Sequence, residues 1–232
     1  MSKKDVKLSQ NVTKKKIVSK EKIKRKDFAE LIFHYIRDAK EMLLQPISFS
    51  GSKTITEEIK KNIVDENGKV KAKKEKMKKD VTLQFAIAYD QSMETDERSF
   101  CNFTQTDDGG VHLESVEDVF CRYIQQKTRD SLSDAQKDKM QILYQDIKAG
   151  LKLVVNLSTN AQVEFMGNAK NRIQNENLKP VLKEMTQEYI DEFFTKEPAK
   201  LQAIIKIVKA NAKARIDLQK AMQRDIDDVL HL

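Results

Sequence analysis

Alternation of apolar and polar side chains predicts three strands along this chain. The clearest is Val81–Tyr89, in which every odd-numbered position is apolar and the even-numbered positions include two alanines. Leu151–Leu157 follows the same two-residue period, which is typical of a strand with one face against a core. In residues 99–103, Phe100, Cys101 and Phe103 suit a half-buried strand. A turn at residues 90–97 joins the first two strands, so we expect them to form a hairpin.

Helical periodicity predicts four longer helices. The first takes Asp27 as its N-cap and ends before Pro46, and the second takes Ser115 as its N-cap. The third is capped by Asn177, and the fourth has Pro198 in its first turn. Apolar residues thin out along the last turns of the fourth helix, so we expect its end to project from the domain.

Two turn signals separate these elements. Asn67-Gly68 is a strong hairpin signal, and a lysine run follows it at residues 69–79. The lysines indicate either a solvated tip with a protected strand edge or a patch that faces phosphates. The second turn is Asp107–Gly110, because glycine tolerates positive φ and aspartate tolerates turns. We therefore assign Gly109 and Gly110 to backbone geometry.

Composition narrows the class of partner. The 232 residues carry a net charge of +7, with 34% charged and 39% hydrophobic residues. A basic balance favours a polyanion such as nucleic acid. Residues 1–26 are a lysine-rich arm, which is either a solvated tail or a phosphate-binding segment.

The two cysteines lack CxxC spacing and cannot build a disulfide framework, so we expect reduced thiols in a cytoplasmic protein. Since no apolar run reaches about 18 residues, we expect no membrane span.

Candidate chemistry is sparse. His112 has no second histidine or cysteine at metal-ligand spacing, so we expect a side chain that packs the turn, and no metal site. The polar connection 161–177 is longer than most loops of a compact domain, and loops of this length tend to be functional. Gly167, Lys170 and Arg172 lie inside it.

Four segments in this order resemble the transducer domain of type IIA DNA topoisomerases, the second domain of the gyrase B and topoisomerase IV B proteins. Residues 103–112, FTQTDDGGVH, resemble the family's Asn-x-Asn-Thr-x-x-Gly-Gly-Thr-His. Residues 146–155, DIKAGLKLVV, are similar to Asp-x-Arg-Glu-Gly-Leu-x-Ala-x-x. Residues 165–170, FMGNAK, are similar to Phe-x-Gly-Gln-Thr-Lys, and residues 211–215, NAKAR, resemble the basic exit helix.

The resemblance implies an α+β fold like domain 2 of ribosomal protein S5, with a mostly antiparallel sheet, helices on one face and a long projecting C-terminal helix. It implies a left-handed βαβ crossover, against the usual rule. Residues 1–26 would be a basic arm or the end of a preceding ATPase domain, residues 27–197 the transducer, and residues 198–232 the exit helix. Residues 51–80 would be a lysine-rich insert.

The resemblance also implies the site. Lys170 would contact the γ-phosphate of ATP, with ATP and Mg²⁺ bound mainly by a domain absent from this chain. Gly167, Asn168 and Ala169 would form the switch loop, although Asn168 and Ala169 replace the family's Gln and Thr. Four basic residues would line a cavity that holds duplex DNA by phosphate contact: Arg122, Lys127, Arg129 and Lys152.

The implied function is that of a module in an ATP-hydrolysing DNA topoisomerase, an isomerase, that works as a homodimer with other topoisomerase domains or subunits. The chain itself lacks the motifs of the GHKL ATPase and of the DNA-cleaving Toprim domain. Two alternatives stay open on the residues alone. One is a free-standing basic nucleic-acid-binding module that uses the lysine insert, and the other is an interaction domain that dimerises through its exposed helix.

Overall fold

The computed structural model describes residues 42–64, 70–167 and 170–230. The strands are β1 (Met42–Val64), β2 (Val70–Asp90), β3 (Asp96–Cys101), β4 (Thr104–Gln105) and β5 (Leu151–Thr159). The helices are α1 (Val111–Asp130), α2 (Asp134–Lys137), α3 (Tyr144–Lys148), α4 (Lys179–Lys196) and α5 (Pro198–Leu230), with a 3-10 turn at Glu176–Leu178. The expected α+β class is confirmed.

The described strands form one sheet in the order β1-β2-β5-β3-β4. All neighbours are antiparallel except β3 and β5, which are parallel, so the sheet is mostly antiparallel as expected. The hairpin predicted around Asn67-Gly68 is confirmed by the pairing of β1 with β2 as far as Val64 and Val70. The turn itself, residues 65–69, lies outside the described residues.

The predicted hairpin between the strands at 81–89 and 99–103 is wrong, because β5 lies between them. The first seven residues of β5 are all buried, and a strand buried on both faces belongs in the middle of a sheet. The connection from β2 to β3 therefore passes the start of β5, where the Asp90 N–H donates to the Gly150 carbonyl at 3.0 Å.

The predicted ends of three elements also change. The first predicted helix lies outside the described residues as far as position 41. Its predicted end before Pro46 is wrong, because β1 begins at Met42 and Pro46 lies within a register shift of that strand. Proline is tolerated at such an irregularity on an edge strand. Phe103 lies in a tight turn with φ 64° and is 43% exposed, so it does not extend β3. Asn177 lies in the 3-10 turn, and α4 begins after Leu178.

Helix α1 begins four residues before the predicted cap. Gly110 precedes it with φ 128° and ψ −172°, a conformation that suits glycine. Ser115 lies within the helix, fully buried, and its hydroxyl donates to the Val111 carbonyl. The Gly-Gly turn therefore ends at the helix, and no serine cap is needed to begin it.

One apolar core joins the sheet to helices α1, α4 and α5. The odd-numbered residues of β2, from Val81 to Tyr89, are fully buried and belong to it. Helix α5 adds Ile204, Val208 and Ala212, after which residues 217–227 are all exposed. The helix has 33 residues and rises about 1.5 Å per residue, so its exposed end continues beyond the core. It therefore projects from the domain, as expected.

The two cysteines are Cys101 and Cys121, both buried and free. Burial raises the pKa of Cys101 to about 11 and is the main cause that raises the pKa of Cys121 to about 12. Both side chains are therefore neutral thiols that pack the core.

Candidate functional site

The polar connection between β5 and α4 is a loop whose base is closed by hydrogen bonds. The Met166 N–H donates to the Arg172 carbonyl at 2.8 Å, and the Gln174 N–H donates to the Glu164 carbonyl at 2.9 Å. The buried amide of Asn175 accepts from the Glu164 N–H at 2.7 Å. The loop tip is therefore carried on a fixed stem.

The tip carries the lysine that the resemblance selects. Lys170 is exposed, with φ 57°, and its Nζ lies 6.0 Å from the centroid of the Phe165 ring. No described carboxylate lies within ion-pair distance of it. Gly167, with φ 68°, begins the tip, while Asn168 and Ala169 lie outside the described residues. The Lys170 ammonium is thus available to an external anion.

The Gly-Gly turn packs directly on this stem. The Val111 N–H donates to the Ile173 carbonyl at 3.1 Å, and the Ile173 N–H donates to the Gly109 carbonyl at 3.3 Å. A Cβ on Gly110 would lie 2.5 Å from both the nitrogen and the oxygen of Ile173. Glycine is therefore required at position 110 for this close approach. The turn and the lysine loop, which are about 60 residues apart in sequence, form one unit.

Arg172 ties the same unit to helix α1. Its guanidinium donates to the Asp108 carbonyl at 2.8 Å and forms an ion pair with Glu114. The Asp108 N–H donates to the Asn171 carbonyl at 3.0 Å, and Lys179 approaches Glu114 at 3.5 Å. Sequence reasoning placed Arg172 in the loop but gave it no role, because its partners are distant in sequence.

His112 is a buried member of this corner. It is fully buried, and its Nε2 lies 3.4 Å from the Thr106 hydroxyl, which in turn lies 2.6 Å from the Ser99 hydroxyl. Burial lowers the pKa of His112 to about 4. The imidazole is neutral at physiological pH and contributes packing and one polar contact.

Two contacts connect the middle of α1 to the segment before β5. Lys148 pairs with Glu117 of α1 at 2.7 Å and with Glu97 of β3 at 3.0 Å. Burial alone would lower the pKa of Lys148, but the two carboxylates outweigh it and raise the pKa. The Gln125 amide donates to the Ile142 carbonyl at 2.7 Å. Polar contacts as well as the core therefore join α1 to α3 and to the segment that precedes it.

A buried ion pair joins α3 to α5. Asp146, 2% exposed, accepts from the Arg215 guanidinium at 2.7 and 2.9 Å. It also accepts from the Leu143 N–H at 2.8 Å. The Asn211 amide donates to the carbonyls of Asp146 and Ala149 at 3.0 and 3.1 Å. The part of α5 that precedes its exposed end is therefore fixed to α3 and to the turn that leads into β5.

The four candidate DNA contacts do not lie together. Arg122, Lys127 and Arg129 are exposed on α1, where Arg122 forms an ion pair with Asp118. Lys152 is 7% exposed, and its ammonium lies 3.2 Å from Asp90. It also donates to the Ser92 hydroxyl and the Glu94 carbonyl. Lys152 is therefore not available for a phosphate contact, since every hydrogen-bond donor of the ammonium faces the β2–β3 connection.

Two negative findings apply to the described ranges. Within residues 42–64, 70–167 and 170–230, no group of three histidine, cysteine or acidic side chains could hold a metal ion. None of the helices described here is long and apolar enough to cross a membrane.

Comparison with known proteins identifies a consistent set of relatives. The family model for DNA gyrase B matches residues 28–224. The DNA gyrase B polypeptide of Mycoplasma pneumoniae is 26% identical over 190 residues, which is 82% of this chain and 27% of that protein. The mitochondrial DNA gyrase B polypeptide of Arabidopsis thaliana is 28% identical over 145 residues, 62% of this chain and 19% of that protein. This chain spans about a quarter of the length of the curated relatives that it matches.

Two solved structures share the fold. The 43K ATPase domain of Thermus thermophilus gyrase B, in complex with an aminocoumarin, has a TM-score of 0.63 at 17% identity, and the match covers 85% of this chain and 46% of that one. The topoisomerase IV ATP-binding domain of Francisella tularensis, in complex with a small-molecule inhibitor, has a TM-score of 0.54 at 13% identity. That match covers 82% of this chain and 43% of the other.

Proposed function

Because this chain belongs to the DNA gyrase B family, we propose that it is the transducer module of an ATP-dependent type II DNA topoisomerase. In this role it couples ATP binding and hydrolysis in an adjacent ATPase domain to clamp closure and DNA strand passage. One observation carries the proposal: the Lys170 ammonium is exposed at the tip of a loop with a fixed stem, without a carboxylate partner among the described residues.

Lys170 fits the task of sensing a terminal phosphate. A lysine ammonium is a compact point charge on a flexible stem, and the positive φ of Lys170 and Gly167 places both in a tight bend at the tip. ATP, bound with Mg²⁺ mainly by a domain outside this chain, supplies the γ-phosphate. Loss of that phosphate removes the partner of Lys170, and loops ordered by a terminal phosphate are released in this way.

The stem carries the change into the domain. Ile173 and Arg172 hold the loop to the Gly109–Gly110 turn and to the first turn of α1. From α1 the Glu117–Lys148 pair leads to α3, and the Asp146–Arg215 pair leads from α3 to α5. In the proposed mechanism these contacts make α5 a lever whose exposed end leads to the DNA-cleaving part of the enzyme.

The proposed partners are double-stranded DNA, other topoisomerase domains or subunits, and a second copy of the module in a homodimeric enzyme. Arg122, Lys127 and Arg129 offer exposed charges along one helix for sequence-independent phosphate contacts. Lys152 is excluded from this set by its burial.

ATP turnover by the enzyme that contains this module and its ATPase domain tests the proposal. A charge-assisted contact contributes about 1.5–3 kcal/mol, so Lys170→Ala should lower kcat by roughly 10- to 100-fold. Lys206→Ala, which removes an exposed lysine from α5, is the matched control and should leave kcat unchanged. Equal turnover by the Lys170→Ala enzyme and the wild type would refute the assignment.

A further inference from the structure

The β1–β2 hairpin extends well beyond the sheet. β1 and β2 remain paired from Thr54 and Asp80 to Val64 and Val70. β5, however, pairs with β2 only from Val81 onwards. The outer part is therefore a two-stranded ribbon of eleven residue pairs, which corresponds to a length of about 36 Å at 3.3 Å per residue. We call it the ribbon, residues 54–64 and 70–80.

The ribbon is basic on one strand. Residues 70–80 contain six lysines and two acidic residues, whereas residues 54–64 contain two of each. Lys74, Lys76 and Lys78 are spaced by two residues and are all exposed, so they share one face. Glu58 opposes them, at 3.5 Å from Lys74 and 4.0 Å from Lys76.

The two faces of the ribbon differ in exposure. On the opposite face Ile55, Glu57 and Met77 are half-buried, and Glu75 is exposed. The side chains of Lys74 and Lys76 are 70% and 74% exposed. The lysine face is therefore the more exposed of the two and carries the positive charge.

The row of lysines suits the phosphates of duplex DNA. Lysines at every second residue repeat at about 6.6 Å along a strand, and each DNA strand carries one phosphate per about 3.4 Å of helix axis. Because a lysine ammonium is a point charge on a flexible stem, each of the three lysines can reach a phosphate although the DNA strand winds around its axis. A two-stranded ribbon also fits the major groove, which is about 12 Å wide.

We propose that the ribbon is a DNA-binding arm, which contacts the phosphate backbone of a duplex through Lys74, Lys76 and Lys78 without reading its sequence. The proposal takes duplex DNA as partner from the proposed function and adds a binding site that is separate from α1 and the loop of Lys170. Glu58 reduces the charge of the face, and DNA binding releases Lys74 from this exposed pair at little cost, because exposed ion pairs are weak.

Salt-dependent binding by the 232-residue chain tests the arm. The variant Lys74→Gln/Lys76→Gln/Lys78→Gln and the wild type are titrated onto a fluorescent duplex of about 30 base pairs at several salt concentrations between about 50 and 200 mM, the range over which phosphate contacts change affinity strongly. Each lost phosphate contact lowers the slope of log affinity against log salt by about 0.9. We therefore expect the slope to fall by about 2.7, with at least roughly tenfold weaker binding at low salt.

The matched control is Lys139→Gln/Lys213→Gln/Lys220→Gln, which removes the same charge around a cavity of about 360 Å³ between α5 and the residues that follow α1. Its slope should stay that of the wild type. Because all six side chains are exposed, far-UV circular dichroism should show all three proteins equally folded.

Three outcomes would overturn the arm: no salt-dependent binding by the wild type, an unchanged slope in the ribbon variant, or an equal loss in the control. Loss of self-association in the ribbon variant, measured by sedimentation with unchanged DNA binding, would also overturn it and assign the ribbon to a second copy of the chain. ATP turnover of the Lys170→Ala enzyme separates this test from that of the proposed function. If Lys170→Ala lowers ATP turnover but the ribbon variant keeps the wild-type salt slope, only the DNA-binding arm is refuted.

Discussion

Acid should destabilise this domain through one side chain, His112. It is fully buried beside Thr106, and burial lowers its pKa from 6.5 to about 4. In the unfolded chain the imidazole takes up a proton near pH 6.5, whereas the folded protein resists protonation until about pH 4. Because the unfolded state binds more protons in that window, stability is complete above pH 6.5 and falls as the pH decreases through it.

The size of the effect follows from the two pKa values. One pKa unit corresponds to about 1.36 kcal/mol, so the full effect of the His112 shift is about 3.4 kcal/mol well below about pH 4. Between about pH 7.5 and 5.5 the linkage relation gives a loss of about 1.3 kcal/mol, in a range where ordinary carboxylates remain mostly ionised.

Urea unfolding of the chain at about pH 7.5 and 5.5, followed by circular dichroism, measures this loss. His112→Gln keeps a polar group near Thr106 but does not titrate, so its stability should lose about 1.3 kcal/mol less than the wild type over the same change. The variant His34→Gln/His231→Gln, in which His112 is the remaining histidine, should still show the loss of about 1.3 kcal/mol.

An equal loss in His112→Gln and the wild type would show that protonation of His112 does not cause the acid sensitivity. An independent readout is the histidine ring signals of the wild type in an NMR titration. One of the three should remain in its neutral position at about pH 5, and a normal titration of all three would contradict the burial argument.

Other substitutions test the ion pairs and the glycine positions that hold the elements of the domain together. Arg215→Ala leaves Asp146 buried without its ion-pair partner and should lower the free energy of unfolding by about 3–5 kcal/mol, whereas Arg122→Ala breaks an exposed pair and should cost less than about 1 kcal/mol; urea unfolding compares the two. Gly110→Ala forces a Cβ against backbone and should cost more than Gly167→Ala, which has open space and only the roughly 1–2 kcal/mol of a left-handed residue. Equal thermal midpoints for the two glycine variants would contradict this.

The sequence predicted what depends on local pattern. The strand at Val81–Tyr89 and the helix from Pro198 were predictable because period and turn chemistry act over a few residues. The pairing of β2 with β5 was not predictable from local pattern, since β5 comes from far along the chain and lies between β2 and β3. Likewise the start of α1 is decided by the close approach of Gly110 to Ile173, a contact that no local pattern encodes.

The candidate site was likewise only partly predictable from the sequence. Lys170 was selected by resemblance, because a lysine in a polar loop is otherwise ordinary. The pairs that give the site its architecture, Arg172 with Glu114 and Arg215 with Asp146, join residues 58 and 69 positions apart. No periodicity predicts such pairs. Lys152 is not available to DNA because its ammonium forms an ion pair with Asp90, a residue far earlier in the sequence.

Hydrogen exchange at the base of the lysine loop measures whether the loop responds to the terminal phosphate of ATP. The measurement compares the enzyme with bound non-hydrolysable ATP analogue and with bound ADP, at the amides of Met166, Ile173 and Gln174 that close the stem. We expect slower exchange with the triphosphate in the wild type, because its γ-phosphate holds Lys170, and no difference between the nucleotides in Lys170→Ala. Equal exchange with both nucleotides in the wild type would contradict a transducer role for this loop.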